Sequence, residues 1–177
     1  MTVYKKDNLD GLSDKSIRPA PGMFPGRRNQ AGQQRPLHMD TYKGVVYPAQ
    51  TDAMGHMTVQ YYVAAFDQAM WHLVAALGYN PDWRHERKEG WADVRHEINY
   101  HDEIRVGDLF SVRSEVRKVG KSSLVTHHRL MNTSNKLCAE IEMTSVYFDL
   151  EKRVSKALPE ALRNTAQDWL SRQSTMN

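Results

Sequence analysis

Residues 51–78 read TDAMGHMTVQYYVAAFDQAMWHLVAALG, and this stretch decides the fold. From its middle onward, Val59, Tyr62, Val63, Phe66, Met70, Leu73, Val74 and Leu77 recur at helical spacing and form one broad apolar face. Thr58 stands where an N-cap belongs, and its hydroxyl can accept from the first-turn N–H groups. Gly78 closes the segment as a C′ residue. A helix this apolar must lie against something large, and a sheet is the expected partner. Ahead of it, Asp52 precedes His56 by four residues, with Gly55 between them. A carboxylate is thereby brought beside the free N–H groups of a helix start, where negative charge is stabilised. Hydrolysis of an acyl compound needs that combination.

Outward from the helix the period changes. Residues 44–50 read as a short strand in which Pro48 marks an edge or a bulge. Residues 79–90 read as a polar connection. Val94, His96, Ile98 and Tyr100 then alternate with Arg95, Glu97 and Asn99. Gly107-Asp108 turns the chain, and Phe110, Val112, Ser114 and Val116 alternate next. Gly120-Lys121 reads as a hairpin turn, followed by a strand over 124–131, a turn over 132–135, and a last long strand carrying Leu137, Ala139, Ile141, Met143, Ser145 and Tyr147. Pro159 starts a C-terminal helix whose stripe is Leu162, Ala166, Trp169 and Leu170. The order is strand, long helix, four strands. One helix must be wrapped by a strongly curved antiparallel sheet, an α+β arrangement.

Composition narrows the function classes. The 177 residues are enough for one core-bearing domain, and no apolar run of membrane-spanning length occurs. The net charge is +3, and all of the excess lies in residues 1–40, which hold seven Lys/Arg and four Asp. The remainder carries seventeen of each sign, so nucleic acid is not an expected partner. Residues 1–40 also hold four of the seven prolines and four of the ten glycines, and read as a mobile basic extension. Residues 41–158 form the expected domain and 159–177 a C-terminal helix and tail. The single cysteine, Cys138, fits a small buried core residue in a reducing cytoplasm. His127 and His128 are adjacent on a strand and face opposite ways, and no helical His pair exists, so no metal site is expected.

The loop 51–57, leading into Tyr61-Tyr62, resembles the Asp-x-x-Gly-His-(Met/Val)-Asn loop and following Tyr of hotdog-fold acyl-CoA thioesterases, the 4-hydroxybenzoyl-CoA thioesterase-like group in particular. Ile98-x-Tyr100 and Gly107-Asp108 resemble that family's strand and turn, and the element order agrees over residues 43–155. The spacing also resembles thioesterase modules acting on betainyl-CoA. Two positions depart from the pattern: Thr58 replaces the usual Asn, and Val59 stands where some relatives carry a catalytic His.

The resemblance implies a hotdog fold and hydrolysis of an acyl-CoA to free acid and CoA. Asp52 is then the nucleophile or the general base on water, and backbone N–H groups of Gly55, His56 and Met57 form the oxyanion hole. Thr58 and Tyr62 are expected to meet the substrate. Lys121 and Ser122, in a basic hydroxyl-rich turn, are candidates for the pantetheine arm or a phosphate, and otherwise a solvated hairpin tip. No cofactor is implied, since coenzyme A enters with the substrate. Trp71, Trp83 and Trp91 either line an acyl pocket or pack in the core. The family's sites lie between subunits, so a homodimer or homotetramer is expected. Asp67, on the helix, is an alternative carboxylate. An enoyl-thioester hydratase and a non-catalytic acyl-CoA binder are the competing readings.

Overall fold

The structure, a computed structural model, describes residues 38–174. Residues 1–37, most of the expected extension, lie outside the described residues, as do 175–177. Strands β1 (Met39–Val45), β2 (Glu89–Tyr100), β3 (Leu109–Val119), β4 (Ser123–Asn132) and β5 (Leu137–Asp149) form one antiparallel sheet in the order β1-β3-β4-β5-β2, with a two-residue β6 (Val154–Ser155) beside β5. Helix α1 (Val59–Ala76) lies along its inner face. A short α2 (Trp83–Glu86) precedes β2, and α3 (Glu160–Ser174) ends the described chain. This is the hotdog arrangement.

Period-2 patterning sets the inner face. Phe110, Val112, Val116, Leu124, Leu130, Ala139, Ile141, Met143 and Tyr147 are buried beneath Phe66, Ala69, Met70, Leu73 and Val74 of α1. Leu158, Leu162 and Ala166 join the same core. The register shifts between Asp93 and Arg95 on β2 and between Val116 and Lys118 on β3. Bulges of this kind raise local twist and let the sheet curl around a single helix.

Polar residues also enter the core, and those around His128 are paired with one another. His128 is wholly buried: Ser114 Oγ lies 2.6 Å from its Nδ1, and Thr126 Oγ1 lies 2.9 Å from its Nε2. Ser114 meets Thr41 at 2.6 Å. Burial, then the charges of His127 and His96, hold the His128 ring down at about 3, so it stays neutral.

Three local expectations change. Residues 44–50 are not one strand: β1 runs Met39–Val45 and a 3-10 turn covers Pro48–Gln50. Pro48 has no N–H for a sheet ladder but suits the first helical positions, and the Tyr47 N–H donates to Gln50 Oε1 at 2.8 Å. β2 begins at Glu89, inside the expected connection. Val59 is 60% exposed and does not belong to the buried face of α1.

Candidate active site

The loop 51–57 folds back on itself. The Asp52 N–H donates to the His56 carbonyl at 2.9 Å, and the Gly55 N–H to the Asp52 carbonyl at 3.0 Å. Asp52 Oδ1 accepts from the Met54 N–H at 2.8 Å and the His56 N–H at 3.1 Å. Gly55 has φ +80°, a conformation glycine reaches without steric cost. The loop is docked on the segment that follows β2: His56 pairs with Arg105 as an antiparallel bridge, and the Met57 N–H donates to the Ile104 carbonyl at 2.8 Å.

These bonds overturn one expectation. The N–H groups of Gly55, His56 and Met57 already have protein acceptors, so they are not a ready oxyanion hole. The Thr58 N–H is likewise used, on the Gln50 carbonyl at 3.0 Å. Thr58 is the N-cap residue of α1, but its side chain makes no cap bond, and its buried Oγ1 has no partner among the described residues. The Tyr61 N–H turns back to the Thr58 carbonyl at 3.0 Å. Among the described residues, the N–H groups of Val59 and Gln60 are the first at the helix start left without an acceptor. The donors of a helix N-terminus exist here one step further along than the motif suggests.

A cavity of about 340 Å³ opens beside this helix start, lined by His56, Met57, Val59, Tyr62, Tyr100, His101, Asp102 and Glu103. Tyr62 and Tyr100 meet edge to face with ring centroids 5.2 Å apart. Burial, then the Cys138 thiol, pushes the Tyr62 hydroxyl up to about 12, against the opposing Ile104 backbone. Tyr62 therefore stays protonated and can donate. His56 Nε2 lies 3.0 Å from Glu103 Oε2, and Arg105 reaches the same oxygen at 3.2 Å. Asp102 is paired with Lys136 at 2.8 Å. Glu103 escapes a sequence reading because it follows the Ile98-x-Tyr100 strand pattern in a segment without period. Only the docking of that segment on the loop brings it to His56.

Lys121 and Ser122 are not brought here. They lie past the far end of β3, whose first residues follow shortly after the Ile104–Arg105 segment on which the Asp52 loop docks; eleven extended residues span about 36 Å. The Lys121 carbonyl accepts from the Leu158 N–H at 2.9 Å and the Ser122 carbonyl from the Tyr147 N–H at 2.8 Å. The tryptophans do not form an open cage. Tyr79 packs against Trp71, Trp83 and Trp91 with centroids 5.9, 5.6 and 6.2 Å away, and the Arg87 guanidinium covers Trp83 at 4.2 Å. Asp67 lies on the exposed side of α1. Its carboxyl is raised by burial and then by the charge of Asp93, which itself holds Ser145 at 2.6 Å and His96 at 3.3 Å.

The profile of the Thioesterase-like superfamily matches residues 46–166. The acyl-CoA thioester hydrolase YbgC of Escherichia coli O6:H1 is 25% identical over 117 residues, which cover 66% of this chain and 87% of that protein. Two solved structures share the fold. A Staphylococcus aureus protein in complex with CoA has a TM-score of 0.72 at 17% identity, covering 82% of this chain and 92% of the other. A Synechocystis 1,4-dihydroxy-2-naphthoyl-CoA thioesterase has a TM-score of 0.65 at 18% identity, covering 73% and 96%.

Proposed function

This chain belongs to the thioesterase-like superfamily and is a thioester hydrolase, and from that premise we propose that it converts an acyl-CoA to the free acid and CoA. The observation that carries the reading is the Asp52 loop, closed on itself at the α1 N-terminus, whose His56 and Met57 line the Tyr62–Tyr100 cavity while Asp52 stands behind them in the same loop.

Asp52 serves as nucleophile or as general base on water. Its Oδ1 is engaged by two backbone N–H groups, and Oδ2 is the oxygen left for chemistry. Negative charge grows on the thioester oxygen during attack. The unpartnered N–H groups of Val59 and Gln60 are the donors we assign to it, in place of Gly55, His56 and Met57. One such donor is worth about 3 kcal/mol in the transition state. Tyr62, which lines the cavity, takes the substrate-binding part, with Thr58 at the N-cap beside it.

Lys121 and Ser122 reach a substrate only if a second copy supplies them, which fits a homodimer or homotetramer. β2 supports self-association: among the described residues it has β5 on one side and no strand on the other, and Val94 on it is 63% exposed. No cofactor takes part in this scheme. A reducing cytoplasm suits the single buried Cys138. Among the described residues no helix is long and apolar enough to cross a membrane.

The test is thiol release from short, long, aromatic and betainyl CoA esters by wild type and Asp52→Asn side by side. Hydrolysis of one class that falls at least about a hundredfold in the variant supports the reading. Tight binding of CoA esters without hydrolysis would leave an acyl-CoA binding protein instead. Full activity in the variant would move the carboxylate role to Asp67.

A further inference from the structure

Glu103 belongs to no motif in the sequence, yet it is the carboxylate that touches the His56 ring. We propose that Glu103 is a positioning residue for thioester hydrolysis, fixing the His56 ring so that Nδ1 faces the reacting groups; this rests on the thioesterase reading above.

The geometry is specific. His56 Nε2 and Glu103 Oε2 are 3.0 Å apart, and the Glu103 side chain is itself held by Arg105 at 3.2 Å. Arg105 is anchored in turn: its backbone bridges His56, and its N–H donates to Asp108 Oδ2 at 2.8 Å. An ionised carboxylate only accepts, so the proton of this contact sits on Nε2 whether the ring is neutral or charged. Nδ1 has no partner among the described residues, and the ring lines the cavity. The same logic governs histidines at metal centres, where a carboxylate on one ring nitrogen fixes what the other can do.

Surface stability does not explain the arrangement. Glu103 and Arg105 side chains are more than half exposed, where ion pairs contribute little. The cavity end of the loop also carries His101 and Asp102, but these are engaged elsewhere, by Glu140 at 3.0 Å and Lys136 at 2.8 Å. Glu103 is thus the carboxylate paired with the His56 ring.

Asp52 and His56 then divide the labour at the site. On the route in which Asp52 is the nucleophile, it attacks the thioester carbon, the C–S bond breaks, and the CoA thiolate leaves as the acyl–Asp52 anhydride forms. Water then attacks the anhydride. Its proton passes to His56 Nδ1 as the new C–O bond forms, the Asp52 carboxylate is regenerated with release of the acid, and the imidazolium returns the proton to the thiolate sulfur. Protons and electron pairs balance without any further reactant.

The experiment is a double-mutant cycle on the full-length chain, with thiol release as readout, comparing wild type, Glu103→Ala, His56→Ala and the double variant. Expected is a fall in kcat of about tenfold for Glu103→Ala, the lower end of what losing the carboxylate behind a metal-bound histidine costs, with KM changed less than about twofold. The double variant should be no slower than His56→Ala, and Glu103→Gln, which keeps an acceptor oxygen, should recover part of the rate. Imidazole nitrogen NMR should show Nε2–H in the wild type and a mixture of tautomers in Glu103→Ala. Losses that multiply in the double variant, or an unchanged kcat in Glu103→Ala, would overturn the role while leaving the thioesterase reading intact. A wild type that releases no thiol from any ester overturns both.

Discussion

Asp52 and His56 are bound to each other twice within one loop: the Asp52 N–H donates to the His56 carbonyl at 2.9 Å, and the His56 N–H donates to the side-chain Asp52 Oδ1 at 3.1 Å. The carboxylate proposed for chemistry is therefore also what holds its own loop shut. Structural and chemical roles then separate by choice of substitution. Asp52→Asn keeps an Oδ1 that can accept both N–H groups, so its melting temperature should stay within about 2 °C of wild type while activity collapses. Asp52→Ala removes both side-chain bonds and should cost a further 1 to 2 kcal/mol or so of stability. Thermal melts beside rate measurements check this. An Asn variant as unstable as the Ala variant would contradict it.

Gly55 separates conformation from space. A Cβ added there meets nothing within 4 Å, yet φ is +80°. Gly55→Ala should lose about 1 kcal/mol from backbone strain alone, and Gly55→Asn, which tolerates this region better, should lose less. Denaturant melts of the two variants give the comparison.

His128 makes stability depend on pH. Its ring is held at about 3 in the folded chain, against an ordinary 6.5. Between these values the unfolded chain binds a proton that the folded chain refuses. Stability is therefore complete above pH 6.5 and is lost progressively as pH falls toward 3, at a rate near 1.4 kcal/mol per pH unit at its steepest. Glu89, Glu115 and Glu140 are held below the usual carboxylate range despite burial, so their contributions go only at lower pH. Melting temperatures from pH 7 to 4.5 should fall in wild type and flatten in His128→Gln. Parallel curves would place the sensitivity elsewhere.

Lys156 neutralises a buried carboxylate. Glu89 is 6% exposed and receives hydrogen bonds from Lys156 Nζ and the Tyr147 hydroxyl. Burial alone would raise its carboxyl, but those two bonds outweigh it and hold it low. Lys156→Ala leaves the charge buried without its cation and should destabilise by about 3 kcal/mol. The double variant Lys156→Ala with Glu89→Gln should recover much of the loss. Urea unfolding of the single and double variants measures both.

The edge of β2, unpaired among the described residues, should pair with a second copy. Val94→Pro at its bulge removes a donor and should shift the assembly toward monomer in light scattering, with activity lost in step if the site needs Lys121 and Ser122 from the partner. A monomeric variant at full rate would show that one chain suffices.

Much of this protein was written locally. The apolar positions of α1, Gly78 at its end, the alternation along β3, β4 and β5, and the opposed sides taken by His127 and His128 all follow from side-chain period, because 3.6 and 2.0 residues per repeat fix which residues share a face. Asp52, Gly55 and His56 were equally visible, since a carboxylate, a glycine and a helix start are consecutive in the chain. Sheet order was not. That β2 crosses to the far edge beside β5 depends on pairings between residues far apart in sequence, and period carries no record of a partner. The same limit hid what the loop does with its donors. The Met57 N–H is spent on Ile104 and the His56 ring on Glu103 because a segment nearly fifty residues later docks there. The sequence by itself determined the elements, their faces and the loop that bears the carboxylate. Tertiary structure alone decided which N–H groups remained free, which carboxylate met His56, and that Lys121 and Ser122 stood at the other end of the sheet, because hydrogen bonds are satisfied by whatever packing brings near, not by what lies adjacent in the chain.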